Sequence, residues 1–240
     1  MTDVIASFER GAPNYLAHAG VQEAMADWVG EWLPRPRKGR VLEVGAGPGV
    51  FTRRLLPWHG DLMVTDASAA MCRAGRKALP EVKWRTMLAE KPLPGPWDWI
   101  VSSSMLQWMG DPAEVFSAWH RRLAPGGRVL GGLFIAGSLP EWSEVAGKWS
   151  PLRWRSAEEW REAVAGAGLR LLRDETQTRV FDYSSARDFL RSLHAIGAAP
   201  RRRLGAGVLR RLLRRHEERG GRGGPVAAHW NFYRFEAIYG

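Results

Sequence analysis

The 240-residue sequence predicts an α/β fold with a doubly wound, mostly parallel β-sheet. Between residues 40 and 134, short apolar runs alternate with segments of helical periodicity, and several of these segments end at prolines or glycines. The first apolar run leads directly into a turn with three glycines at alternate positions. Because parallel strands are joined by helical crossovers, this alternation favours helices on both faces of one sheet.

The N-terminal segment is expected to be helical from residue 4 to residue 33. Val21, Met25 and Val29 recur at helical spacing and give it one apolar face, and the prolines that follow it end the helix. The alternating part then predicts strands at 40–44, 61–65, 82–85, 97–102 and 128–134, and helices at 49–56, 69–79 and 112–123.

After residue 134 the alternation stops. Ser138 is expected to cap a helix over 138–149, with Glu141 three residues later, and Ser156 to start a second helix over 156–167. The remaining sequence predicts a strand at 169–182, helices at 184–196 and 204–219, a flexible loop at 220–225 and a final strand at 230–239.

These boundaries describe one domain over 1–240. Its expected parts are an N-terminal helical segment at 1–36, a core at 37–182, a helical insertion at 183–224 and a final strand at 225–240. Roughly 40 residues of mainly helical sequence separate the last two strands, which is far more than a connection needs. We therefore expect the insertion to form a substrate lid or a docking surface.

The composition, 45% hydrophobic and 25% charged, is typical of a globular protein. The single cysteine excludes a disulfide framework, and the six histidines do not pair at metal-ligand spacing, so no metal is expected. The sequence has no long apolar run and no signal-peptide pattern at its start, so we expect a cytoplasmic monomer. The net charge of +10 indicates either an arginine-rich composition or an acidic partner.

The glycine turn indicates a nucleoside site. Strand 40–44 runs into Gly45-Ala46-Gly47-Pro48-Gly49, and Asp66 ends the second predicted strand, where a carboxylate can bind ribose hydroxyls. Val50 stands where the dinucleotide pattern has its third glycine, and Glu43 adds a negative charge where a pyrophosphate would pass. The turn therefore favours a ligand that carries positive charge.

The E-x-G-x-G-x-G pattern resembles motif I of the class I S-adenosylmethionine-dependent methyltransferases, which implies a Rossmann-like, seven-stranded sheet. The resemblance places the methionine part of S-adenosylmethionine at the glycine turn and near Ser103, and the ribose at Asp66. It implies apolar and backbone contacts to the adenine, although Met87 stands where relatives commonly have an aspartate. The implied cofactor-binding residues are Glu43, Gly45, Ala46, Gly47, Gly49, Asp66, Ala67, Leu88, Ala89 and Ser103.

Two further segments are expected to border the reacting methyl group. Phe8, Ala12 and Tyr15 match an F-x-x-x-A-x-x-Y pattern of similar methyltransferases, which implies a catalytic position for Tyr15; the alternative is a tyrosine that only packs helices on the core. Gln107 and Trp108 follow the fourth strand and are expected to face the substrate, with Trp108 equally suited to the core.

Several motifs resemble the malonyl-acyl-carrier-protein O-methyltransferases of biotin synthesis. They are Leu106-Gln107-Trp108, Pro125-Gly126-Gly127, Gly137 to Glu141, and Arg191 to Ala198, where His194 replaces a lysine. The resemblance implies that the methyl acceptor is the free carboxylate of a malonyl thioester. A carboxylate is ionised at neutral pH and needs no strong base. Arg191 is our candidate to hold it; the alternative is a solvated surface arginine.

The resemblance also implies an acidic partner, malonyl-acyl carrier protein. On the predicted helix 204–219 the apolar positions form one stripe, and arginines lie outside it. The predicted docking residues are Arg210, Arg211, Arg214 and Arg215.

Three alternatives stay open at this point. The enzyme could methylate another small acid or metabolite, or the chain could be a non-catalytic module that binds the cofactor. A nucleic-acid methyltransferase is disfavoured, because Ser102-Ser103-Ser104-Met105 lacks the Asn/Asp-Pro-Pro-aromatic motif often used for base methylation.

Overall fold

The computed structural model describes residues 2–58, 60–147, 154–195, 205–219 and 225–240. These residues form a seven-stranded sheet in the order β3-β2-β1-β4-β5-β7-β6. The strands are β1 Val41–Val44, β2 Leu62–Asp66, β3 Lys83–Thr86, β4 Trp97–Ser103, β5 Leu123–Phe134, β6 Leu169–Tyr183 and β7 Val226–Tyr239. The first five are parallel, and β7 runs antiparallel to both β5 and β6. The predicted α/β fold is confirmed.

Helices surround the sheet. They are α1 Thr2–Gly11, α2 Gly20–Gly30, α3 Thr52–Leu55, α4 Ala69–Ala78, α5 Pro112–His120, α6 Pro140–Ala146, α7 Ala157–Gly166, α8 Ala186–Ala195 and α9 Ala206–Arg219. Side chains of β1 enter both faces of the core, because Val41 packs in a cluster with α2 and α8, whereas Leu42 packs in a cluster with α5 and α7. This is the burial on both faces that a doubly wound sheet requires.

The N-terminal segment differs from the single helix predicted over 4–33. The chain breaks between α1 and α2 into two short 3₁₀ turns, Ala12–Asn14 and Leu16–His18. Pro13 lies at the start of the first turn, where its missing N–H and fixed φ angle are tolerated, but it cannot extend α1. The break carries Tyr15, which is buried.

Two predicted helix starts had different outcomes. Ser138 does not cap α6: Leu139 takes that position at φ +54°, and Ser138 Oγ donates to the Ile135 carbonyl at 2.8 Å instead. The cap at Ser156 is confirmed, since Ser156 Oγ accepts from the Glu159 N–H at 3.2 Å while the Glu159 carboxylate accepts from the Ser156 N–H at 2.6 Å.

Two strands begin earlier than predicted. β5 starts at Leu123, which pairs with Trp97, and the Pro-Gly-Gly segment lies inside the strand at a shift of register. β7 starts at Val226, because it pairs with β6 as far as Tyr183. Both extensions depend on a partner strand distant in the sequence.

Arg234 on β7 connects the C-terminal end of α2 to the antiparallel strands through ring contacts and hydrogen bonds. Its guanidinium lies 4.2 Å from the ring centroids of both Trp28 and Trp32. It donates to Glu31 at 2.8 Å and to Glu175 at 2.6 Å, and also to the Trp28 carbonyl. Only 5% of the Arg234 surface is exposed. A planar, desolvated cation between two indole rings binds each of them and keeps its hydrogen bonds.

Replacing Arg234 by lysine is expected to lower the free energy of unfolding by about 1–3 kcal/mol, because an ammonium cannot form the forked hydrogen bonds and stack on both rings. Urea denaturation monitored by circular dichroism measures this loss. Arg170→Lys, at an exposed position of β6, is the control and should change little. Equal losses in the two variants would contradict the role of Arg234.

Candidate active site

The candidate site lies at the carboxyl ends of β1, β2 and β4. The strand order reverses between β1 and β4, which is where open α/β sheets bind ligands. A cavity opens there whose non-atom space, part of it open to solvent, is about 840 Å³. It is lined by the glycine turn, the end of β2, the segment after β3, the loop after β4, and residues of α1 and its following turn.

The glycine turn has the backbone that its sequence predicts. Gly45, Gly47 and Gly49 have φ values of +74°, +57° and +99°. A β-carbon on Gly45 would lie 2.2 Å from Met105 Cγ, so no other residue fits there. The N–H groups of Gly45 and Ala46 both donate to the Thr65 carbonyl at 2.9 Å, which ties the turn to β2.

Asp66 is fixed by backbone donors on both sides. Its Oδ2 accepts from the Gly47 N–H and its Oδ1 from the Ser68 N–H, each at 2.8 Å. Burial raises the pKa of Asp66 to about 6, against the effect of these two hydrogen bonds. An ionised carboxylate offers about four lone-pair positions, so Asp66 can still accept from hydroxyls of a ligand.

Glu43 lies buried on β1 beside the turn. Its Oε2 accepts from Thr52 Oγ1 at 2.7 Å, and its Oε1 has no partner within the described part of the chain. Burial raises the pKa of Glu43 to about 8, Thr52 opposes this shift, and the charge of Asp66 adds to it. Glu43 is not among the described residues that line the cavity, so the structure places this predicted cofactor-binding residue behind the turn and not in its wall.

The segment after β3 forms another wall of the cavity. Ala67, Met87, Leu88 and Ala89 all line it, so apolar contact with a ring is available there. The Ala89 carbonyl already accepts from Trp119 Nε1 at 2.9 Å, and Met87 Sδ accepts from the Leu93 N–H at 3.2 Å. Glu90, the next residue along the chain, adds a polar side chain to the same wall. Ser103, at the end of β4, also lines the cavity, as its predicted role requires.

Tyr15 lies over the glycine turn. Its Cε1 atom is 3.9 Å from the place where a β-carbon on Gly47 would lie, and 8% of the residue is exposed. Tyr15 also packs in the core cluster with Ala12 and Ala19, so it both lines the cavity and packs the N-terminal segment on the core. Burial, and then the charge of Asp66, raise the pKa of the Tyr15 hydroxyl, which therefore stays protonated as a hydrogen-bonding group.

Gln107 and Trp108 form a 3₁₀ turn with Leu106 after β4. Gln107 Nε2 donates to the Ser104 carbonyl at 2.7 Å. Trp108 lines the cavity and packs edge-on against Phe8 at 5.6 Å between ring centroids. The structure thus brings Trp108, Phe8 and Tyr15 together at one end of the cavity.

Arg191 is not brought to this cavity. Phe189, Leu190 and Leu193 occupy the buried face of α8, which directs Arg191 outward; its side chain is 60% exposed and pairs with Asp188 at 2.7 Å. Arg191 borders an open depression between α8 and α9 instead. The matched motif residues Ile196, Gly197 and Ala198 lie outside the described residues.

The four predicted docking arginines are exposed on α9. Leu212 is buried and Val208 and Leu213 partly buried, so the apolar stripe faces the protein and the arginines face outward. Arg214 pairs with Glu218 at 2.9 Å on the same helix. Leu204 and the Arg201-Arg202-Arg203 run, like the loop at 220–224, lie outside the described residues.

Sequence reasoning missed several residues that line the cavity. They are Phe51, Met71, Glu90, Met109 and Gln22. Gln22 could have been predicted from the sequence. A polar side chain among the apolar positions of α2 needs a hydrogen-bond partner, either in the protein or in a ligand. No sequence signal predicted the methionines or Glu90, because these loop and helix residues reach the cavity only through the packing of the fold.

Within the described residues, no group of three or more His, Cys, Asp or Glu side chains could hold a metal ion. None of the helices in the described ranges has the length and hydrophobicity that crossing a membrane requires.

Comparison with known proteins identifies the family. The family described as a methyltransferase domain matches residues 17–198. The chain belongs to the methyltransferase family. This methyltransferase uses S-adenosylmethionine, as predicted.

Two curated relatives are informative. The methyltransferase is 34% identical over 226 residues to the biotin biosynthesis bifunctional protein BioCD of Bordetella avium, which covers 89% of this chain and 48% of that protein. It is 32% identical over 206 residues to the malonyl-[acyl-carrier protein] O-methyltransferase of Chlorobium phaeovibrioides, covering 79% of this chain and 77% of that protein. The chain thus spans about half the length of the bifunctional relative.

Solved structures share the fold. The YcgJ protein of Bacillus subtilis matches with a TM-score of 0.68 and 18% identity, over 90% of this chain and 97% of that one. Geranyl diphosphate C-methyltransferase of Streptomyces coelicolor, solved with S-adenosyl-L-homocysteine, matches with a TM-score of 0.55 and 16% identity, over 90% and 79% of the two chains.

Binding of S-adenosylmethionine is expected to weaken at acidic pH. The carboxylate of Asp66 accepts hydroxyl protons only when ionised, and the pKa of Asp66 is about 6. The affinity should therefore approach a tenfold loss for each pH unit below about 6, and Asp66→Asn should bind weakly with a flatter profile. Isothermal titration calorimetry between about pH 5 and pH 7 measures this. Asp182→Asn, at an exposed position, is the control; an unchanged acidic slope in Asp66→Asn would contradict the assignment.

Proposed function

We propose that this methyltransferase esterifies the free carboxylate of a malonyl thioester carried on acyl carrier protein. S-adenosylmethionine supplies a methyl group activated by a positively charged sulfur. One carboxylate oxygen forms the new bond to the methyl carbon while the carbon–sulfur bond breaks, so an anion and a cation become a neutral ester and a neutral thioether. No proton is transferred in this step.

The chemistry of the cavity supports an acceptor that is already ionised. The described residues that line it include no histidine, lysine or arginine, and its acidic groups are Asp66 and Glu90. Asp66 is committed to the ribose in this proposal, and Tyr15 stays protonated. A reaction that needed a strong general base would lack one here, whereas a carboxylate needs only orientation and exclusion of water.

The observation that carries the proposal is the similarity to relatives named malonyl-[acyl-carrier protein] O-methyltransferase. That name belongs to the relative of Chlorobium phaeovibrioides at 32% identity and to the relative of Enterobacter lignolyticus at 31% identity. Both similarities cover about four fifths of this chain. A methyltransferase for another small acid is the second candidate, and substrate comparison separates the two.

Incubation with S-adenosylmethionine should add the mass of one methylene group to malonyl-acyl carrier protein and none to acetyl-acyl carrier protein, which lacks the free carboxylate. Intact-protein mass spectrometry measures both. Free malonate serves as the competing acceptor. Equal or faster methylation of free malonate, or of other small acids, would favour the second candidate instead.

The basic face of α9 is our proposed docking surface for the acidic carrier. Its exposed arginines would attract and orient the carrier without touching the reacting groups. Arg191, with Arg187 and Arg210, borders the depression between α8 and α9, so its role in this proposal is at the surface.

Replacing Arg210, Arg214 and Arg215 together by glutamate should raise KM for malonyl-acyl carrier protein about tenfold and leave KM for malonyl-pantetheine nearly unchanged. Steady-state kinetics at low salt measure the two constants. The matched control replaces Arg73, Arg121 and Arg170, three exposed arginines on other elements, and makes the same change in net charge. A similar rise in KM with both substrates would remove the docking role.

A further inference from the structure

A second, smaller cavity adjoins the cofactor cavity. Its non-atom space, part of which is open to solvent, is about 240 Å³, and it shares Phe8, Tyr15, Gln22, Ser104 and Trp108 with the larger cavity. It lies where the break between α1 and α2 meets the loop after β4. Since Tyr15 covers the glycine turn, the smaller cavity begins at the end of the cofactor site where the acceptor has to enter.

Its wall contains polar atoms without partners. Gln22 Oε1, Ser104 Oγ, Gln107 Oε1 and Trp154 Nε1 are buried, and none forms a hydrogen bond within the described part of the chain. Gln22 as a whole is only 5% exposed. Buried polar groups in folded proteins are nearly always paired, so their concentration around one small cavity indicates a polar ligand.

Ser104 is held in a conformation that is rare for serine. Its φ angle is +59°, in the left-handed region. The Ser104 N–H donates to the Gly132 carbonyl at 2.7 Å, and the Ser104 carbonyl accepts from Gln107 Nε2 at 2.7 Å. Backbone strain of this kind persists where the surroundings enforce it, often at ligand sites. Here it fixes Ser104 in the wall shared by both cavities.

Trp154 is fixed by aromatic neighbours. Its ring centroid lies 6.3 Å from those of Trp108 and Trp230 and 6.4 Å from that of Phe134. An indole N–H can only donate, and a buried one normally finds an acceptor. The packing therefore fixes the Trp154 N–H donor at the same cavity as the Ser104 hydroxyl.

Neither cavity has a lysine, arginine or histidine among the described residues that line it. We propose that Trp154 and Ser104 hold the carboxylate of the methyl acceptor with neutral hydrogen-bond donors, in a pocket that contains no cationic side chain. This assignment rests on the proposed function. The remaining acceptors, the amide oxygens of Gln22 and Gln107, suit the N–H groups of a pantetheine arm.

Neutral donors have a physical advantage in this reaction. A guanidinium beside the carboxylate would lower the electron density of the attacking oxygen and repel the positively charged methyl donor. Indole and hydroxyl donors orient the carboxylate and leave its charge to attract the sulfonium. Trp154 and Ser104 are thus residues that determine specificity for a small anionic acceptor.

The test compares Trp154→Phe and Ser104→Ala with Trp160→Phe. Trp160 also has a buried, unpartnered Nε1 atom, but it lies on α7, packs against Phe116 of α5 and lines neither cavity. Trp154→Phe and Ser104→Ala should each raise KM for malonyl-pantetheine about tenfold, because each loses one hydrogen bond to a charged group. The Kd for S-adenosylmethionine should not change in Trp154→Phe or Trp160→Phe, since neither residue lines the cofactor cavity.

Binding is measured in parallel with turnover, by titrating malonyl-pantetheine into protein saturated with S-adenosylhomocysteine. A wild-type protein that binds but does not methylate the thioester would refute the proposed function, whereas about tenfold weaker binding by Trp154→Phe would still support the pocket. Unchanged KM and binding in both pocket variants, or an equal loss in Trp160→Phe, would overturn the assignment of Trp154 and Ser104.

Discussion

The site depends on two carboxyl groups buried without a cationic partner among the described residues. Asp66 ends β2 and Glu43 is the last residue but one of the adjacent strand β1, and burial raises their pKa values to about 6 and about 8. Keeping either group ionised away from water is unfavourable, since desolvation penalises the charge. In the proposed function, hydroxyl groups of the methyl donor offset this penalty at Asp66, which lines the cavity.

The rest of the fold holds that arrangement in place. The carbonyl of Thr65 accepts from two N–H groups of the turn, and the Gly47 N–H donates to Asp66, so hydrogen bonds join the turn to the end of β2. The break between α1 and α2 positions Tyr15 next to Gly47 of the glycine turn. Arg234 anchors α2 to the antiparallel strands through Trp28 and Trp32, and α2 carries Gln22 into the smaller cavity.

Among the described residues, α8 and α9 carry arginines on their exposed faces, and the lining of the two cavities has no basic side chain. In the proposed function the two regions have different roles. The surface arginines attract the acidic carrier, and the neutral donors Trp154 and Ser104 orient the acceptor inside the pocket. The sulfonium of the cofactor is then the positive charge nearest to the reacting carboxylate.

The sequence by itself determined the alternation of strands and helices, the glycine turn and the acid at the end of β2, because each depends on local backbone angles, local periodicity or fixed spacing. It also placed Ser156 as a helix cap, a local hydrogen bond. Tertiary structure alone decided that Arg191 points to solvent, that β5 and β7 extend beyond their local signals, and that Gln22, Ser104 and Trp154 meet at one cavity. Those outcomes follow from contacts between segments far apart in the chain, which no local pattern encodes.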